Sequence, residues 1–242
     1  MRMSGFILFS PLFGRNGVPL LAQGGFITFF SVTAYSMTTQ VADVPVTLVE
    51  LAVRLFLELG LGFCINMMIR FFLYIPEQAG EIIDTQMGMS MARSYDPGAQ
   101  SSMTTTANLL NLMTQVLFFT ANGHVTLIRL VLTSGEIIPF GQFAFTDMAL
   151  NHLVEFFCEC VLMALKLSLP ILGAELLGQM GMGILMKAIP QINVFAINIE
   201  LKVIVGMLML STLLAPISRF LLEGESLLLG SIRDLTPLFV GG

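Results

Sequence analysis

His152, Glu155, Cys158, Glu159 and Cys160 crowd one short stretch, and their types would suit a metal ion. Their spacing argues against one. His152, Glu155 and Glu159 share a helical face, but residues two apart on a helix point about 200° apart, so Cys158 and Cys160 do not converge. No second His-rich cluster completes a ligand set. The other histidine, His124, follows Asn122 and Gly123 in a predicted turn, where it suits a turn-stabilising or interfacial role. Tyr95-Asp96 in an apolar region raises aspartyl-type hydrolysis, which needs two carboxylates sharing a proton. The chain has no Gly-x-Gly-Asp partner for it, so Asp96-Pro97-Gly98 reads as a turn. HExxH, GxSxG and phosphate-loop patterns are missing too. These residues predict a chain that is not an enzyme and needs no metal or other cofactor.

The elements that position these residues follow from composition. Of 242 residues, 55% are hydrophobic and 11% charged, against about 25% charged in ordinary soluble domains, so the chain falls in the membrane class. A formal net charge of -5 with 11 scattered basic residues offers no basic patch, which sets nucleic acid aside. Three cysteines, an odd count, argue against a disulfide framework. The opening MRMSGFILFSPLFG reads as the end of a helix rather than a removable signal. Turn signals at 16–17, 43–45, 96–98, 122–123, 138–141, 189–191 and 223–224 divide the rest into apolar segments. Segments near 18–42, 44–75, 104–134, 148–173, 175–189 and 192–222 have the length and the Leu and Met content of helices. The prediction is one all-α domain over 1–242, with a C-terminal helical hairpin at about 148–222.

Charge placement sorts those helices. Two uncharged stretches, 16–42 and 97–128, are long enough to cross a bilayer. In the second, Asn108, Asn111 and Gln115 line one face with Thr104, a stripe suited to water, to a protein partner or to a neighbouring helix of this chain. Glu50, Arg54 and Glu58 stack at i, i+4 and i+8. Each such charge costs about 2.5 to 3.5 kcal/mol deep in a bilayer, while an i,i+4 pair returns only about 0.2 to 0.5 kcal/mol. That face therefore should not meet hydrocarbon: it suits a partner interface, a buried position or a helix end in the headgroup region, and Glu155 and Glu159 pose the same problem one turn apart.

Gln-Met-Gly-Met occurs at 86–89 and again at 179–182. Gly88 lowers helix stability by about 1 kcal/mol relative to Ala, which marks a place to bend or unwind. Met87, Met89 and Met91 alternate with small residues, so an extended strand would set three pliable thioethers on one side. A helix would spread them around its circumference.

The string GEIIDTQMG, then Asp96-Pro97, then FFTANGH, then KAIPQINVF before a final apolar segment resembles the FliR/SctT family of type III secretion export-gate proteins, over about 5–239. The residues that carry the likeness are Glu81, Gln86, Asn122, Gly123, His124, Pro190, Gln191, Asn193 and Phe195, and the Pro-Gln-x-Asn-Val-Phe signature points to the flagellar branch. The resemblance implies membrane-associated helical hairpins forming one subunit of a helical export-gate assembly in the bacterial inner membrane, at the flagellar basal body. It also implies FliP-like and FliQ-like subunits in a ring around a protein-conducting pore, FlhB-like and FlhA-like proteins beside it, and unfolded polypeptides as cargo. The segment matching 87–103 is implied to plug that pore. Met87, Met89 and Met91 would then form a deformable seal, Gly88 a hinge, and Tyr95 with Asp96-Pro97-Gly98 the turn that holds the plug. After Asn-Val-Phe the family has a glycine and then a proline, where this chain has Asn198 and Glu200. Asn is a good N-cap and Glu suits a first turn, so a helix start is expected there. A small-solute secondary transporter is the competing reading, suggested by charges in apolar helices and by the repeated tetrapeptide.

Overall fold

The computed structural model describes residues 1–11, 19–37, 47–89, 104–141, 146–188 and 194–239, with backbone alone at 194–196. These residues form α1 (Arg2–Leu8), α2 (Leu20–Met37), α3 (Leu48–Met87), α4 (Thr105–Thr120), α5 (Gly123–Ile137), α6 (Asp147–Ala188) and α7 (Val194–Leu238). Among the described residues there is no strand, so the fold is all-α as expected.

Several boundaries differ from the sequence reading. α3 passes through Pro76 and α6 through Pro170, joining what read as two segments at 148–173 and 175–189. A proline inside a helix costs about 3 kcal/mol, which apolar faces as long as these offset by burial. α7 likewise runs through 223–224, because one helical Gly costs only about 1 kcal/mol. Asn122 does break the 104–134 segment: it takes a left-handed φ of 61° between α4 and α5. Asn198 lies inside α7 rather than at its cap, since that helix already runs from Val194.

The three longest helices have 40, 42 and 45 residues, about 60 Å or more at 1.5 Å per residue, roughly twice a bilayer's hydrocarbon core. By length and composition α2, α6 and the Ile197–Leu238 part of α7 can cross a membrane, and the bent pair α4–α5 can together make a fourth crossing.

The chain divides into two compact units, and α3, α6 and α7 contribute residues to both. In the first unit, 1–72 with 119–159 and 225–242, α2 packs against α1 and α5. α1 lies backbone to backbone on α3: a Cβ on Gly5 would sit 2.5 Å from the Leu59 carbonyl oxygen, and one on Gly62 would sit 2.7 Å from the Phe6 nitrogen. Asn66 of α3 donates from its amide to the carbonyls of Gly5 at 3.0 Å and Phe6 at 2.5 Å, satisfying acceptors that the end of a short helix leaves bare. The second unit, 73–118 with 160–224, is centred on Ala79, Ile83, Met87, Leu110, Ile171 and Leu210.

Candidate functional site

The polar residues gather at two buried nodes, one in each unit. In the first unit, Glu58 is paired with Arg2 at the start of the chain. Arg2 donates from Nε to Glu58 Oε2 at 2.8 Å and from Nη2 to Oε1 at 3.1 Å. It also donates to Ser134 Oγ at 3.0 Å and to the Ile138 carbonyl at 3.1 Å, and its guanidinium stands 4.8 Å from the Phe140 ring centre. The Gly141 N–H completes Glu58 at 2.9 Å. Arg2 and Glu58 are 2% and 6% exposed, so the charges leave water only because a two-point fork and further hydrogen bonds replace it. Glu50 and Arg54 pair with each other at 2.5 Å, half-exposed. The stripe therefore splits into one inward charge and two outward ones. A cavity of about 250 Å³ beside this node is lined by Arg2, Arg54 and Glu58 with apolar Leu51, Leu55 and Phe140.

In the second unit, Asp84 joins α3 to α4. Asp84 Oδ2 accepts the backbone N–H of Thr106 at 2.9 Å, and Oδ1 accepts the Thr106 hydroxyl. Both side chains are buried. The carboxylate thus sits where the first turn of α4 presents N–H groups and partial positive charge. A few residues on, Gly88 takes a φ of +80°. Its N–H bonds the Thr85 carbonyl at 3.2 Å, and the Met89 N–H bonds the Asp84 carbonyl at 3.0 Å. That pair of bonds is a Schellman motif with glycine at its left-handed position, which ends α3.

The expected plug residues are placed as follows. Met87 is the last residue of α3 and fully buried. Its Sδ lies so close to Gly206 that a Cβ there could not fit. Met87 is therefore a core side chain at the end of a helix, not part of an extended row. Met89 is half-buried against the same core. Met91, Tyr95, Asp96, Pro97 and Gly98 lie outside the described residues.

The amide stripe of α4 divides as well. Asn111 is buried and accepts from Gln115 at 3.1 Å, whereas Asn108 is exposed. Glu155 and Glu159 are both exposed. Their neighbour His152 turns to the Ser231 carbonyl at 3.1 Å, and Cys160 is buried while Cys158 is exposed. Among the family-motif positions, Glu81 is exposed with Gln78 at 3.5 Å, and Gln86 is half-buried. Asn122 turns the chain with Gly123 buried behind it, and His124 sets its ring 5.1 Å from Phe119. Phe195 is in the first turn of α7, and Pro190, Gln191 and Asn193 lie outside the described residues.

Sequence reasoning missed Arg2, Asn66, Asp84, Thr106 and Glu175. Glu175 is 1% exposed on α6, and its Oε1 has no hydrogen-bond partner among the described residues. The signal for Asp84 was present: it is an acid one turn from Gly80 and Met87 on α3, beside Ile83. Cys64 is inert by burial, which pushes its thiol up to about 11.

The chain matches the family described as bacterial export proteins, family 1, over residues 1–224. It is 27% identical over 244 residues to the flagellar biosynthetic protein FliR of Bacillus subtilis, covering 98% of this chain and 93% of the relative. It is 29% identical to the protein of that name from Escherichia coli, over 98% of this chain and 92% of the relative. The Yop proteins translocation protein T of Yersinia pestis is 27% identical over 79% of this chain and 74% of its own length.

Proposed function

This chain belongs to the bacterial export proteins of family 1, and from that premise we propose that it is a structural and gating subunit of a flagellar type III protein-export channel. In this reading it stands in the bacterial inner membrane at the flagellar basal body. FliP-like and FliQ-like subunits complete a hetero-oligomeric ring with it, and FlhB-like and FlhA-like proteins stand beside the ring. Unfolded flagellar polypeptides are the cargo. The chain performs no catalysis; it supplies wall and plug.

The observation that carries the reading is likeness over nearly the full length to two proteins named for flagellar biosynthesis. Two features of the chain support the plug. Gly88 ends α3 immediately ahead of 90–103, and Met89 stands half-buried at its entry. The burial of Met87 in the core makes it the anchor of the plug rather than its lip, so Met89 and Met91 carry the pliable contact, with Tyr95 and Asp96-Pro97-Gly98 turning the segment. Shortening 90–103 in the full-length chain should let small ions leak through the closed pore while secretion continues. Whole-cell leak measured beside secretion of flagellar subunits reads both. A shortened chain as tight to ions as the wild type would rule the plug out.

A further inference from the structure

We propose that the cavity beside the Arg2–Glu58 node is a lipid site that takes up one phospholipid acyl chain. Such a site stands apart from the export reading and requires only that α2 lie in a bilayer, as its length and uncharged composition allow. The cavity of about 250 Å³ is walled by Met3 of α1, Ala34 of α2, Leu51 and Leu55 of α3, and Phe140 in the turn after α5. Met3 and Ala34 are buried and form its floor. Leu51 and Leu55 are 43% and 37% exposed, so they form an open lip.

Water is a poor occupant, because each buried molecule needs about two to four polar partners. The polar groups here are engaged: Arg2 and Glu58 with each other, Arg2 with Ser134 and the Ile138 carbonyl, and Glu58 with the Gly141 N–H. The buried side-chain atoms left without a partner among the described residues belong to Asn66, His124 and Glu175, and none of these lines the cavity. Arg54 adds hydrocarbon as well as charge, since a Cβ on Gly141 would meet its Cδ at 3.1 Å, while its Nη2 turns to Glu50. The charges also cancel, Arg2 against Glu58 and Arg54 against Glu50, so the walls select a chain and not a headgroup. A dry apolar cavity of about 150 Å³ already takes up benzene, and this one is larger. Lipid is the source because α2 is one wall. Its inner side, Ser31 and Ala34, lines the cavity, while Phe29, Val32 and Tyr35 on its outer side are 64% to 79% exposed. The exposed Phe56 points elsewhere, five residues on from Leu51 and so about 140° round α3.

The test places the full-length chain, alone and with the subunits that co-purify with it, in phosphatidylethanolamine vesicles. These contain a phospholipid with a photoactivatable diazirine at the end of one acyl chain. Mass spectrometry then locates the label, with Val32 as the internal standard and 51–55 and Phe140 as the cavity. Wild type should label both. Ala34→Leu fills the floor and should lower the ratio of cavity to standard about tenfold, since overpacking a filled space expels its occupant. If Ala34→Leu does not fold, Leu51→Trp at the exposed lip decides by the same ratio. An unchanged ratio in the filled variant, or a wild-type cavity without label, sinks the site. Adding phosphatidylglycerol should change nothing, and label that depends on the anionic lipid overturns recognition of the chain. Label present in the chain alone but lost on assembly gives the cavity to a partner's side chain and overturns the lipid.

Discussion

Glu58 is a buried carboxylate, 6% exposed, and the donors around it replace the water it has left. Arg2 supplies two of those donors and the Gly141 N–H a third. Removing one member of a buried pair leaves the other without compensation, at about 3 to 5 kcal/mol, whereas replacing both with apolar residues of similar volume is often neutral. Arg2→Met alone and Glu58→Leu alone should each lower stability by about that amount, and the double variant should recover most of the loss. Thermal unfolding of the detergent-solubilised chain measures this as a double-mutant cycle. Additive losses would mean that the pair is not coupled. The sequence pointed to part of this node: the Glu50, Arg54, Glu58 spacing marked charges that should not face hydrocarbon. Its partner was not, because 56 positions separate Arg2 from Glu58 and no local pattern links them.

At the scale of elements, helix existence was legible and helix ends were not. Apolar runs rich in Leu and Met announce helices whatever their neighbours, but termination depends on what is packed alongside. The segment expected to end at 75 continues through Pro76 to Met87, whereas Gly88 read as a hinge and is the left-handed residue that stops α3. Glycines that look alike in sequence therefore have different physical reasons, and substitution separates them. A Cβ on Gly80 meets the Ala107 backbone, while one on Gly181 meets nothing within 4 Å among the described residues. Gly80→Ala must force α3 and α4 apart, costing about 1 to 3 kcal/mol or more as overpacking does. Gly181→Ala should instead be neutral or stabilising by up to about 1 kcal/mol through helix propensity. Unfolding midpoints of the two variants in detergent check the contrast, and a reversed order would refute the backbone contact at Gly80.

Across the whole molecule, large apolar side chains stand outside the chain's own cores. Leu21 is 91% exposed on α2, and Phe56 is 74% exposed on α3. Water cannot be the partner of such surfaces, and charge decides what is. α2 carries no charged residue over its 18 positions, and its hydroxyls at Thr28, Thr33 and Ser36 bond carbonyls of their own helix. Hydrocarbon accepts such a face, because these three hydroxyls find their acceptors within the helix. Around Phe56 the Glu50–Arg54 pair stays half-exposed, which lipid would penalise by several kcal/mol and a protein partner would not. Single cysteines at Val32 and Phe56, in a chain whose own exposed Cys158 is replaced by Ser, separate the two environments. With the chain alone in detergent, both should react with a maleimide. In the assembled apparatus in membranes, the cysteine at 56 should become protected from hydrophilic and lipophilic reagents alike, whereas the one at 32 should stay open to a lipophilic reagent only. Equal labelling of 56 with and without partner subunits would remove the subunit contact from this face of α3 and leave the charged stripe without an occupant.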